Sequence, residues 1–136
     1  MNRWAIPSAK TLAANEKEGG EVWNDDEAEV FCQPKRDGPY VHVGVNVAGA
    51  KVVEVKDGDA PEWKLDQIRA AAGKSETATV VEMAIPFKAV GPVPKSGTVW
   101  RINLAGHEAE SGTWLSAAPA SGSFHDAVTF MDLVFE

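Results

Sequence analysis

The sequence is poor in cross-links, in positive charge and in long apolar runs. Cys32 is its single cysteine, so no disulfide can form within the chain. Lysine and arginine number 13 against 20 acids, a formal net charge of −7. Binding duplex nucleic acid needs a surplus of cations to displace counterions from phosphates, and that surplus is missing. An anionic membrane surface is disfavoured on the same ground. No apolar stretch approaches the ~20 residues of a membrane-spanning helix. The opening Met-Asn-Arg-Trp-Ala-Ile-Pro lacks the apolar segment of a signal peptide. The basic residues stop at Arg101, and the stretch from Glu21 to Glu29 carries Glu21, Asp25, Asp26, Glu27 and Glu29 with no base among them.

Long amphipathic helices are also lacking. The apolar residues alternate instead, which is the period of a strand. Val41, Val43, Val45 and Val47 fall on one face of 40–47, and Tyr40, His42, Gly44 and Asn46 fall on the other. Thr79, Val81, Met83 and Ile85 alternate in the same way before Pro86, which cannot donate to a ladder. Trp100, Ile102 and Leu104 alternate with Arg101 and Asn103, and 129–135 is strand-like. Shorter candidate strands lie at 29–32, 51–56 and 113–116. Asp37-Gly38-Pro39, Ala48-Gly49, Asp57-Gly58-Asp59, Gly91-Pro92 and Ser96-Gly97 supply the turns between them. The single helix candidate is 62–72, with Trp63, Ile68 and Ala71 available to cover a sheet. At 136 residues, 44% hydrophobic and 24% charged, the chain has the composition of one globular domain spanning 1–136. The expected class is all-β, an antiparallel β-sandwich of jelly-roll or immunoglobulin-like type with at most one short helix. Residues 1–20 are poorly patterned.

Chemistry concentrates in Val22-Trp23-Asn24-Asp25-Asp26-Glu27-Ala28-Glu29. A tryptophan face can stack on the C–H face of a sugar ring, and nearby carboxylates can accept its hydroxyl protons. The plainer alternative is a core tryptophan beside a solvated acidic turn. Asp25 and Asp26 are candidate ligands for a structural Ca²⁺, although the Asp-x-Asp-x-Asp-Gly loop is absent. His42, His107 and His125 are isolated in sequence and Cys32 has no partner, so metal-ligand spacing is poor and the histidines read as surface or satisfied polar residues. Phe124-His125-Asp126 lacks the strand-to-helix elbow of a serine hydrolase, and Ser121 and Ser123 read as turn formers. Glu29 and Glu82 would serve as a glycosidase pair only if they faced one cleft.

The order of segments carries a resemblance. Trp23-Asn24-Asp25-Asp26…Glu29-Val30-Phe31 is followed by Tyr40-Val41-His42-Val43…Asn46…Gly49. Trp63 comes next, then Val81-Glu82-Met83-Ala84-Ile85-Pro86-Phe87, then Gly97…Trp100-Arg101-Ile102-Asn103. Trp114-Leu115-Ser116 and Phe124-His125-Asp126…Phe130…Leu133-Val134-Phe135 close the series. From about Val22 to Phe135 this resembles the family-nine carbohydrate-binding modules, β-sandwiches related to the DOMON group and often attached to secreted glycoside hydrolases.

The resemblance implies a non-catalytic module for oligo- or polysaccharide, working outside the cell or in the periplasm as part of a parent protein. Two aromatic rings would clamp a sugar, matched here by Trp23 and Phe124. Polar ligands would match Glu29, Arg101, Asn46 and Ser121. Two departures stand out. Gly44 occupies the place of an expected basic ligand, and no strand is evident before Val22. The second suggests a front end short by a strand or two and an open sheet edge through which copies could associate. Two other readings follow from the same comparison. One is a structural or interaction sandwich whose sugar site has decayed. The other is a haem-binding DOMON-like domain using Met83 or Met131 as axial ligand.

Overall fold

The structure is a computed structural model describing residues 2–7, 19–120 and 122–136, with only the backbone described at 2–7. Its strands are β1 (Asn2–Pro7), β2 (Glu27–Gln33), β3 (Tyr40–Asn46), β4 (Lys51–Lys56) and β5 (Arg69–Lys74). They continue with β6 (Ala78–Ala84), β7 (Val99–Glu108), β8 (Thr113–Ser116) and β9 (Met131–Val134). All pairings are antiparallel. One sheet has the order β1-β6-β5. The other runs β4-β3-β2-β7-β8, with β9 also pairing β7. The ten-residue β7 therefore has two partners on one side: β9 beside 99–102 and β8 beside 105–108.

The alternation in the sequence decides which side chains enter the space between the sheets. Ala28 and Cys32 of β2, Val41, Val43 and Val45 of β3, and Trp100 of β7 meet Val81 and Met83 of β6 there. Ile68, Ala89 and Val90 close the cluster, and Trp63 packs against it from its margin. Each buried valine contributes roughly 1.5–3 kcal/mol relative to exposure. Burial also pushes the Cys32 thiol up to about 12, making it an unreactive core group.

β3 is buried on both faces, which alternation alone does not predict. Its second face, with that of β2, is covered by the chain after β8. Phe31, Tyr40, Ala105 and Phe130 form a separate apolar cluster there, with Phe124 and Ala127 against it. This cover builds the cavity described below.

Two expectations are corrected. The helix expected over 62–72 is a 3₁₀ turn at Leu65–Gln67 followed by strand β5. Helix propensity is a weak preference, and here the register Arg69↔Ala84 through Lys74↔Thr79 on β6 overrides it. Ala70 and Ala72 turn toward the core while Ala71 is exposed. Among the described residues the one α-helix is α1 (Phe87–Val90), begun at Pro86, which suits a helix start because its missing N–H is not needed there. Finally, the front of the chain does hold a strand: β1 pairs with β6 from Asn2↔Met83 to Pro7↔Ala78. Asn-Arg-Trp-Ala-Ile-Pro hides it because the run does not alternate cleanly and ends in proline.

Candidate functional site

The outer face of the larger sheet, under residues 117–120 and 122–130, forms a cavity of about 600 Å³. It is lined by aromatic side chains above and by charged ones on the sheet. Trp23, Trp114 and Phe124 supply the rings, while Glu29, His42, Glu54 and Lys56 line the strands.

Trp23 rides on a 3₁₀ turn, Val22–Asn24. Val22 is its anchor, buried with Ala50 and Val52. Gly44 lies directly beneath. A Cβ on Gly44 would sit 3.2 Å from Cγ2 of Val22 and 3.9 Å from Cγ of Glu29. Trp23 is left 36% exposed.

The acids after Trp23 are buried and hold this turn in place. Asn46 Nδ2 donates to Asp25 Oδ2 at 2.8 Å, and Ala50 N–H donates to Asn46 Oδ1 at 2.9 Å. Asp26 Oδ1 accepts the N–H of Ala109 at 2.8 Å, and its carbonyl accepts that of Val47 at 2.9 Å. The Asp25 carbonyl lies 3.1 Å from Nδ1 of His107. The Trp114 ring stacks on His107 at 3.9 Å and 12°. Trp114 is 49% exposed, and Phe124 tilts against it at 5.8 Å. The two tryptophans are thus tied through His107 and the Asp25 backbone.

The charged floor follows from strand register. Glu29 faces Gly44 across β2–β3, and Phe31 faces His42. Gly44 has no side chain, so the Glu29 carboxylate can meet the His42 ring diagonally, and Glu29 Oε2 bonds His42 Nε2. Phe31 stacks on the His42 ring at 4.5 Å. On the next strand His42 faces Glu54, whose carboxylate lies 3.7 Å from His42 Nδ1. Lys56 contacts Glu54 at 2.8 Å and holds its carboxyl below the usual range. His125 meets His42 edge to face at 4.7 Å, and the Tyr40 hydroxyl lies 2.8 Å from its Nδ1. Burial, then the neighbouring His42, lowers the His125 pKa.

Of the residues expected from sequence, Trp23, Glu29 and Phe124 line this cavity together. Asn46 is fully buried behind it, bonded to Asp25 and Ala50. Ser121 lies outside the described residues. Arg101 does not reach the cavity. Its Nε donates to Phe130 O at 2.9 Å and pairs with Asp132 at 3.1 Å, and its Nη2 donates to the carbonyls of Phe130 and Val128. The reason is β9: pairing Arg101 with Asp132 directs the guanidinium to the chain end.

The histidines are not isolated in space, contrary to their spacing in sequence. Glu29, His42 and His125 each present a ligand atom within 4.8 Å of the others. Trp114, His42, His125, Glu54 and Lys56 join the site only through pairing across strands and the return of the chain after β8. The usable signal was Trp114 as an aromatic on a short strand.

The other readings can be placed as well. The His125 ring bonds Tyr40, while Asp126 caps the 3₁₀ turn Ala127–Thr129 by accepting from Val128, so they form no catalytic pair. Glu82 lines a shallow depression with Ala71, Gly73 and Val80 on the smaller sheet, away from the Glu29 cavity. Met83 and Met131 line an apolar groove of about 450 Å³ between the sheets, and no histidine lines it among the described residues.

No protein-family model and no curated protein matches the sequence. Solved structures do match. One is a candidate carbohydrate-binding protein from Bacteroides uniformis, 21% identical, with a TM-score of 0.79 over 98% of this chain and 72% of that one. A family 9 carbohydrate-binding module from Caldicellulosiruptor kristjanssonii, in complex with glucose, gives a TM-score of 0.75 at 16% identity, over 98% of this chain and 69% of that one. The same kind of module with cellotriose gives 0.72 at 17% identity, over 96% and 65%. The chain has the fold of the family 9 carbohydrate-binding modules.

Proposed function

We propose that this domain is a non-catalytic carbohydrate-binding module that takes a sugar in the cavity between Trp23, Trp114 and Phe124. The observation that carries the reading is the convergence of these rings over the Glu29–His42 floor. The cavity volume is within the range of small-molecule sites. Both tryptophans are partly exposed and are held in place by buried contacts at their bases. The apolar C–H faces of a pyranose would lie on the rings. The Glu29 carboxylate would accept ring hydroxyls in charge-assisted hydrogen bonds, with its orientation set by His42. The likeness in fold to modules solved with glucose and cellotriose supports a gluco-configured ligand. In a parent protein, such a module would raise the local concentration of polysaccharide near an attached enzyme.

Calorimetric titration with glucose, cello- and xylo-oligosaccharides tests this. Trp23→Ala and Trp114→Ala are each expected to weaken binding by roughly 1–3 kcal/mol, the scale of a lost stacking contact plus its buried area. No heat with any sugar, or unchanged affinity in both variants, removes the proposed site.

A further inference from the structure

We infer that Glu29, His42 and His125 form a binding site for a divalent transition-metal ion of the zinc class, at the floor of the same cavity. One ligand atom from each residue lies within 4.8 Å of the others. Two imidazoles and a carboxylate are a donor set that suits zinc, copper, nickel and iron rather than the all-oxygen coordination of calcium. The three come from different parts of the chain. Glu29 is on β2, His42 on β3, and His125 on the segment that returns after β8.

The surroundings are those of an oriented metal site. Ligating histidines generally give their second ring nitrogen to a carboxylate or another polar partner, which fixes ring orientation. His125 has such a partner, and His42 has a carboxylate within ion-pair reach of its second nitrogen. Glu54 stands 3.7 Å from His42 Nδ1, on the side away from Glu29. The Tyr40 hydroxyl stands 2.8 Å from His125 Nδ1, and the opposite nitrogen of that ring has no hydrogen-bond partner among the described residues. Phe31 lies flat on His42 and edge-on to His125, limiting the movement of both rings. Glu29 and His42 are buried, whereas His125 faces the open cavity. A fourth coordination position would therefore open to solvent or to a ligand hydroxyl.

Without metal, Glu29 and His42 hold one another through a proton. Metal binding replaces that proton and parts the two atoms to about 3.3 Å, the edge of a tetrahedron with bonds of about 2.0 Å. A carboxylate on a flexible side chain can make this adjustment.

The site is tested by titrating Zn²⁺ calorimetrically into protein first stripped with EDTA. One equivalent is expected to bind, and His125→Ala and His42→Gln are each expected to weaken it at least tenfold. Co²⁺ in place of Zn²⁺ should give the visible absorption of a low-coordinate site in the wild type and lose it in His125→Ala. His125 lies on the exposed segment, so that variant serves if His42→Gln fails to fold. No binding by the wild type, or equal binding by the wild type and His125→Ala, overturns the proposal. Glu29 belongs to the sugar reading too, so sugar affinity is measured separately in stripped protein. Loss of one activity with retention of the other tells the two apart.

Discussion

Gly44 shows how much one side chain, or its lack, can decide. The sequence comparison makes it look like a missing basic ligand. In the structure, the space above it belongs to Val22, the anchor of the Trp23 turn, and the space beside it to Glu29. A side chain at 44 would have to displace the platform that a sugar would use. The same gap lets Glu29 reach His42 diagonally across two strands. Gly44→Ala places a Cβ 3.2 Å from Val22 Cγ2, so the turn must shift by a few tenths of an ångström. Overpacking of this kind costs about 1–3 kcal/mol. Urea unfolding should show that loss, and the variant should bind oligosaccharide more weakly than the wild type. Unchanged stability and unchanged affinity together would mean that Val22 does not hold Trp23 through this contact.

At the scale of elements, the site depends on residues 117–120 and 122–130, which have little regular structure and lie across a sheet. Their near end is held by Asn103, whose Oδ1 accepts from Leu104, Ser116 and Ala118. Arg101, two residues earlier on the same face of β7, holds the far end through the carbonyls of Val128 and Phe130. This gives Arg101 a structural task in place of the ligand role its position in sequence suggested. Arg101→Ala leaves those carbonyls short of donors, and hydrogen bonds from a charged group contribute about 1.5–3 kcal/mol each. The expected outcome is a clear fall in the denaturation midpoint. A fully stable variant with weakened sugar binding would restore the ligand role instead.

The same segment explains what could be read from the sequence. β3, β6 and β7 were legible because each buries one face against the other sheet, which writes period two into the chain. β5 was not, because Ala-Ala-Ala carries no alternation and its pairing partner does the deciding. In the site, Trp23 and Glu29 were legible because they are neighbours along the chain. His42 with His125, and Tyr40 with His125, meet across more than eighty residues of separation. No local pattern records such a meeting; register and the path of the returning segment create it.

For the whole molecule, an excess of acid becomes a statement about stability when one carboxyl is buried without a partner. Glu27 is fully buried on the site face of β2, and neither of its carboxyl oxygens has a hydrogen-bond partner among the described residues. Burial, reinforced by the Glu29 charge, pushes its pKa up to about 10 from 4.5. Glu27 is therefore protonated in the folded protein at neutral pH, and it places no second negative charge beside Glu29. Below about pH 4.5 the folded and unfolded states both carry the proton, and Glu27 has no linked cost. Between about 4.5 and 10 the folded state holds a proton that the unfolded state releases, so stability falls as pH rises through that window. Glu27→Gln removes the titration while keeping the shape. It should raise stability at neutral pH, because the variant no longer has to take up a proton in order to fold. Urea midpoints at about pH 5, 7 and 9 give the decisive comparison, because all other titrating groups are common to both proteins. The wild-type midpoint should decline more steeply, with the gap widening toward alkaline pH. Parallel curves would mean that Glu27 is solvated or paired in the folded protein, and its burial on the site face would then have to be abandoned.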